Sequence, residues 1–79
     1  MNEMYREKAD KIVSYKTYTE KRKIDTLLEL NAEQYCNLGT ESSKTEWSNA
    51  ELTSRYIFRL IKNYDQRLGS LLLRDSLEG

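Results

Sequence analysis

Apolar residues recur every three or four positions along most of the 79-residue chain, a spacing that places them on one side of an α-helix. Three stretches with this spacing predict helices over residues 2–15, 18–37 and 49–68. The third stretch continues to residue 76 if Gly69 is accepted within a helix, at a cost of about 1 kcal/mol relative to alanine. Residues 39–48 are rich in Ser, Thr and Gly and predict the one clear loop.

Two short motifs suggest where the second and third helices begin. Thr17 and Glu20 have the spacing of a capping box, in which a hydroxyl and a carboxylate bind otherwise unpaired backbone N–H groups. Ser48 and Glu51 repeat this spacing before the strongest apolar period, and Trp47 precedes them where a hydrophobic staple would lie. The two motifs favour helix starts near residues 18 and 49.

These elements predict an all-α fold, a small antiparallel three-helix bundle, with residues 69–79 as the end of the third helix, a short fourth helix or a tail. The apolar positions of the third helix spread over roughly 180–200° of its circumference, wider than the stripe of about 100° that one contact requires. These positions are Leu52, Tyr56, Ile57, Leu60, Ile61, Tyr64 and Leu68. We therefore expect a second contact on this helix, and self-association as a homodimer would supply it.

Composition excludes several classes of protein. The 13 basic and 13 acidic side chains cancel, which argues against a large electrostatic footprint for nucleic acid. One cysteine rules out an intramolecular disulfide, and the absence of histidine rules out a zinc site that uses histidine. The lone cysteine and the lack of an apolar run near 20 residues predict a soluble cytoplasmic protein without a membrane span.

No motif for catalysis, metal binding or nucleotide binding is found in the sequence. The stretch 37–45 resembles a phosphate-binding loop only superficially, because the second glycine before Lys44 is missing. Cys36 has no histidine to activate it and is expected to be a half-buried apolar residue. The chain is predicted to be neither an enzyme nor a cofactor-binding protein.

The predicted third helix carries a polar stripe of Arg55, Arg59, Lys62 and Gln66. Phe58 falls beside this stripe, outside the apolar arc. Arginine and aromatic residues dominate the energetics of protein interfaces, so Arg55, Phe58, Arg59 and Lys62 form a candidate partner-binding patch. The ordinary alternative is a solvated helix face with one exposed aromatic ring.

The second helix carries a stripe of acidic residues, Asp25, Glu29 and Glu33. Like charges four residues apart repel each other by a few tenths of a kcal/mol, so an opposite charge nearby is expected to offset them. Water and Arg22 would suffice, and the basic stripe of the third helix is the other possibility.

These observations favour a small non-enzymatic protein-interaction module that binds a larger macromolecule, as an adaptor, inhibitor or assembly factor. The small size, the lack of catalytic motifs and the excess of apolar positions are also typical of small accessory proteins of phages and mobile elements. The alternative is a nucleic-acid-binding regulator of the helix-turn-helix kind, with Lys21, Arg22 and Lys23 early in the recognition helix.

Overall fold

The computed structural model describes residues 3–39 and 43–78, which form four helices joined by short turns. The helices are α1 (Glu3–Ser14), α2 (Glu20–Cys36), α3 (Lys44–Lys62) and α4 (Gln66–Glu78). The described ranges contain no strand, so the all-α prediction is confirmed. The bundle has four helices rather than the three predicted, and none of those described is both long and apolar enough to cross a membrane.

The first two helices were predicted over 2–15 and 18–37, and the structure has them at 3–14 and 20–36. Position 2 lies outside the described residues. The residue before α2 is Thr19, whose Oγ1 accepts a hydrogen bond from the backbone N–H of Arg22 at 3.2 Å. The hydroxyl that caps α2 is therefore that of Thr19, not of Thr17, and the helix starts two residues later than expected.

The loop predicted over 39–48 is too long, because α3 begins at Lys44. Ser43 is its N-cap, and the Ser43 hydroxyl accepts a hydrogen bond from the backbone N–H of Glu46 at 3.1 Å. This pair has the same spacing as the capping box predicted five residues later, so spacing alone did not distinguish the two. Residues 40–42 of the predicted loop lie outside the described residues.

Trp47 was predicted to precede the third helix as a hydrophobic staple, and instead it lies in the first turns of α3. Its ring centroid is 6.1 Å from that of Tyr35 on α2, and the side chain is 41% exposed. The one tryptophan of the sequence therefore reports on the contact between α2 and α3.

The helix predicted over 49–68 is broken by a three-residue turn into α3 and α4. The backbone N–H groups of Tyr64 and Asp65 both donate to the carbonyl of Ile61, at 2.9 Å each, which closes the end of α3. Oδ1 of Asp65 then accepts a hydrogen bond from the backbone N–H of Leu68 at 3.1 Å. Asp65 thus caps α4, and its polar side chain explains why the chain turns here.

The core lies where α1, α2 and α3 meet. Its buried apolar residues are Tyr5, Ala9, Ile12, Leu27, Leu30, Ile57, Phe58 and Ile61. Phe58 is only 9% exposed, so the prediction that it lies on an outer face is wrong. The buried face of α3 includes Ala50 and Ser54, whereas Leu52 is 50% exposed. The true core face is therefore rotated from the arc that the apolar residues suggested.

A buried polar network joins α2 to α3. The side-chain amide nitrogen of Gln34, which is 3% exposed, donates to Asn31 Oδ1 at 2.9 Å and lies 3.1 Å from both the Ala50 carbonyl and Ser54 Oγ. Ser54 also hydrogen-bonds to Asn31 and, at 3.1 Å, to the hydroxyl of Tyr35. A shift in register would leave buried polar groups unpaired, so the network fixes how α2 and α3 align.

The remaining side of α3 is covered by α4. The two helices approach so closely that a Cβ atom at the buried Gly69 would lie 2.6 Å from the backbone nitrogen of Lys62. The wide apolar arc of α3 is therefore explained within one chain, by α1 and α2 on one side and α4 on another. The wide arc therefore no longer argues for self-association, and the homodimer stays a prediction.

Candidate functional site

The helices bring two separately predicted basic clusters to the same end of the molecule. Lys23, near the start of α2, places its ammonium group 5.5 Å from the ring centroid of Tyr64, in the turn that follows α3. Arg59 and Lys62 lie in the last turn of α3, next to the same turn. We call the five cations Lys21, Arg22, Lys23, Arg59 and Lys62, with Tyr64, the basic end.

A groove opens in the basic end where α3 turns into α4. Its volume is about 640 Å³, and its lining residues are Arg59, Lys62, Asn63, Tyr64 and Gln66. Among the described residues, the lining thus combines two cations, one aromatic ring and two side-chain amides, without a carboxylate. Asp65 is in the same turn, but it is absent from the lining and its carboxylate caps α4. This donor-rich surface suits an anionic ligand.

The start of α2 adds to the positive potential of the basic end. Three consecutive cations follow Glu20 at the end of the helix that carries the positive pole of its dipole. Cations near an N-terminus are unfavourable by about 0.3–1 kcal/mol each at exposed sites. The guanidinium of Arg22 lies 4.4 Å from the ring centroid of Tyr18, while Lys21 is exposed. A bound anion would relieve this concentration of charge.

The predicted partner-binding patch is divided by the structure. Arg59 and Lys62 are exposed and line the groove, where cations in the last turn of α3 are favoured by the helix dipole. Phe58 lies in the core, so it does not contribute an exposed ring. Arg55 is half-buried and does not line the groove, and its Nε atom has no hydrogen-bond partner within the described ranges.

The acidic stripe of α2 faces α1 rather than the basic stripe of α3. Glu29 and Glu33 line a second groove, of about 310 Å³, whose other wall carries Lys8 and Lys11 of α1. Charges of both signs meet across this groove, so it has no strong preference for an anion or a cation. Lys8 and Lys11 therefore provide opposite charge near two of the three acidic residues of the stripe, while Asp25 does not line this groove.

Three residues that line the groove were not predicted from the sequence to belong to a site. Tyr64 was assigned to the apolar arc of the third helix, Gln66 to its polar stripe, and Asn63 had no role. The signal that would have found them is the pair Asn63 and Asp65, since both residue types favour turns and helix N-caps. A turn between these two residues ends the helix and leaves the side chain of Tyr64 partly exposed.

A separate contact between α1 and α3 involves Tyr56. Its hydroxyl donates a hydrogen bond to the carboxylate of Asp10, and the guanidinium of Arg6 lies 5.4 Å from its ring centroid. The hydrogen bond to Asp10 raises the pKa of Tyr56, burial and the negative charge of Asp10 raise it further, and Arg6 lowers it. None of the three residues lines the groove of the basic end.

Cys36 is exposed at the end of α2, not half-buried as predicted. This is the end of α2 opposite Lys23, so the thiol is remote from the groove. Within the described ranges, no three Cys, Asp or Glu side chains are grouped as metal ligands would be.

Comparisons with models of protein families, with curated proteins and with solved structures give no match to this chain. Its function is therefore inferred from the geometry and charge of the site alone.

Proposed function

We propose that the protein is a small non-enzymatic module that binds nucleic acid, and that it contacts the phosphate backbone through the basic end. The observation that carries this proposal is the contact between Lys23 and Tyr64, which joins the start of α2 to the groove of Arg59 and Lys62. Nucleic-acid binding was the alternative prediction from the sequence. It is preferred here to a protein-binding patch because the burial of Phe58 removes the aromatic anchor of that patch.

The net charge of zero does not exclude this function, because the groove of the basic end is lined by two cations and, among the described residues, by no carboxylate. Glu29 and Glu33 lie opposite Lys8 and Lys11 along the α1–α2 groove, away from the lining of the basic groove. Local potential, rather than total charge, attracts a polyanion to a surface.

The proposed mode of binding differs from that of a helix-turn-helix protein. The cations lie at the ends of two helices instead of along one exposed recognition helix. Such a surface contacts phosphates without presenting a long row of side chains to base edges in the major groove. We therefore expect binding to depend little on sequence.

The salt dependence of binding tests the proposal. Four cations of the basic end, Lys21, Lys23, Arg59 and Lys62, would neutralise about four phosphates and give a slope of log K against log[salt] of about −3 to −4 on duplex DNA. The measurement is fluorescence anisotropy of a labelled 20-base-pair duplex, titrated with the full chain between 50 and 200 mM salt.

A pair of double variants locates the surface. Arg59→Gln with Lys62→Gln removes two phosphate contacts and should reduce the slope by about two units. The matched control, Lys8→Gln with Lys44→Gln, removes two cations that do not line the groove of the basic end and should leave the slope unchanged. Equal effects of the two pairs, or no measurable binding by the unmodified protein, would reject the proposal.

A second candidate function is the protein-interaction module, including a homodimer, and the surface of α4 favours it. Leu71 is 51% exposed, and Leu72 and Leu73 beside it are half-buried. An apolar edge of this kind is a plausible contact for a protein partner. The cytoplasmic location remains a prediction under both functions.

A further inference from the structure

The groove of the basic end contains more than phosphate-binding cations, and the additional groups have a specific use. Tyr64 supplies an aromatic ring, and Asn63 and Gln66 supply amides that both donate and accept hydrogen bonds. A phosphate contact requires none of these three. An unpaired base can use all three, since single-stranded nucleic acids are bound by aromatic stacking next to a positively charged groove and amides can hydrogen-bond to base edges.

We propose that this groove binds one unpaired nucleotide of a single-stranded nucleic acid, with the base stacked on Tyr64 and its phosphate held by Arg59 and Lys62. The amides of Asn63 and Gln66 lie along the base edge. This inference rests on the proposed function and narrows it from nucleic acid in general to single strands. The groove is open to solvent along one side, so a strand can enter it without threading through the protein.

Tyr64 is held in place before any ligand binds. Its backbone N–H donates to the carbonyl of Ile61 at 2.9 Å, and the next residue, Asp65, is fixed to the same carbonyl. The ammonium of Lys23 lies 5.5 Å from the ring centroid, within the range of a cation–π contact. The ring is half-buried, so part of it is accessible from the groove. A ring with a fixed backbone loses little conformational entropy when a base stacks on it.

The second groove of the molecule serves as an internal comparison. It carries Tyr15, Lys8 and Lys11, but Glu29 and Glu33 form part of its lining. Two carboxylates would repel a nucleotide phosphate. No carboxylate of the described residues lines the groove at the turn between α3 and α4, which is why we assign the nucleotide to it.

The first experiment uses the unmodified protein and four labelled 12-mers of the same length and label. They are a single-stranded DNA, the same sequence as RNA, the DNA hybridised to its complement, and a strand of the same length in which all twelve positions are abasic. All four present phosphates, but only the first two present unpaired bases throughout. We expect the two single strands to bind at least about fivefold more tightly than the duplex and the abasic strand, the low end of what stacking one base contributes.

The second experiment uses variants. Tyr64→Leu keeps an apolar side chain and removes the ring, and it should weaken single-strand binding at least about fivefold. Tyr18→Leu is the matched control, because Tyr18 also carries a cation over its ring but does not line the groove. Circular dichroism checks that both variants fold. If Tyr64→Leu does not fold, the abasic strand still tests the contribution of the bases with the unmodified protein.

The outcomes separate this inference from the proposal on which it rests. Equal affinity for the abasic and the intact strand, or a preference for the duplex, overturns the single-strand site. The basic end would then still be a phosphate-binding surface if Arg59→Gln with Lys62→Gln weakens binding. If none of the four probes binds, both the single-strand site and the proposed nucleic-acid function are rejected.

Discussion

Gly69 offers the sharpest test of how α3 and α4 pack. The only atom added by Gly69→Ala is a Cβ, and this atom would lie 2.6 Å from the backbone nitrogen of Lys62, and closer still to its Cα and Cβ. Carbon and nitrogen atoms in good van der Waals contact are about 3.5–4.0 Å apart. Since the obstruction is mainly backbone, no side chain can rotate away, and the two helices must separate by about 1 Å.

Two opposing terms set the magnitude. Overpacking a well-packed site costs typically about 1–3 kcal/mol, and the rigid backbone at Lys62 places this position in the upper half of that range. Alanine regains about 1 kcal/mol of helix propensity over glycine within a helix. We therefore expect Gly69→Ala to lower the free energy of unfolding by about 1–2 kcal/mol, which for a domain of this size lowers Tm by about 5–15 °C.

The assay is urea unfolding followed by circular dichroism and by the fluorescence of Trp47, with Tm from a thermal scan. Ser70→Ala is the matched control, because Ser70 is the exposed neighbour of Gly69 on α4 and gains propensity without a clash. Ser70→Ala should leave Tm unchanged or raise it. If Gly69→Ala is as stable as the unmodified protein, the close approach of the two helices is incorrect.

Two further predictions concern α1 and α4. The pKa of Tyr56 is higher in the folded protein, so its hydrogen bond stabilises the fold below the ordinary tyrosine pKa of about 10, and this contribution is lost as pH rises through the folded value. The difference in Tm between the unmodified protein and Tyr56→Phe should therefore shrink above about pH 10 in thermal scans. A difference in Tm that stays constant with pH would contradict the contact with Asp10. If the chain forms a homodimer through α4, Leu71→Asp should convert it to a monomer in sedimentation velocity with reductant present, since Cys36 is exposed; a monomer before the substitution would reject the dimer.

The helical class was predictable because the apolar period of the chain is strong, but the face of α3 that is buried was not. Thr53 and Ser54 are almost fully buried on α3, and Gln34 is buried opposite them on α2. A count of apolar residues assigns such positions to solvent and moves the predicted core towards residues such as Leu52. These side chains are hydrogen-bonded where they are buried: Gln34 and Ser54 bond to each other and to Asn31, and the Thr53 hydroxyl donates to the carbonyl of Asn49 at 2.9 Å. The bonds from Ser54 to Gln34 and Asn31 span 20 and 23 positions, so a local sequence pattern does not reveal them.

The cations of the candidate site were predictable, whereas their arrangement was not. Lys23 and Lys62 were each recognised as members of a basic cluster, but the clusters were weighed as alternatives. Their convergence depends on the antiparallel packing of α2 and α3, which brings Lys23 to Tyr64. The groove depends in addition on the turn at Asn63, which a continuous third helix would have abolished.

The short turn between α3 and α4 also has a consequence for how the chain folds. The Lys62–Gly69 approach joins residues seven positions apart, whereas the hydrogen bond between Asp10 and Tyr56, which joins α1 to α3, spans 46 positions. Closing a short loop costs less entropy than closing a long one, so the α3–α4 hairpin is expected to form first and α1 to dock on α3 later. During synthesis α1 and α2 leave the ribosome before the hairpin that they pack against. Productive folding must therefore await the later part of the chain.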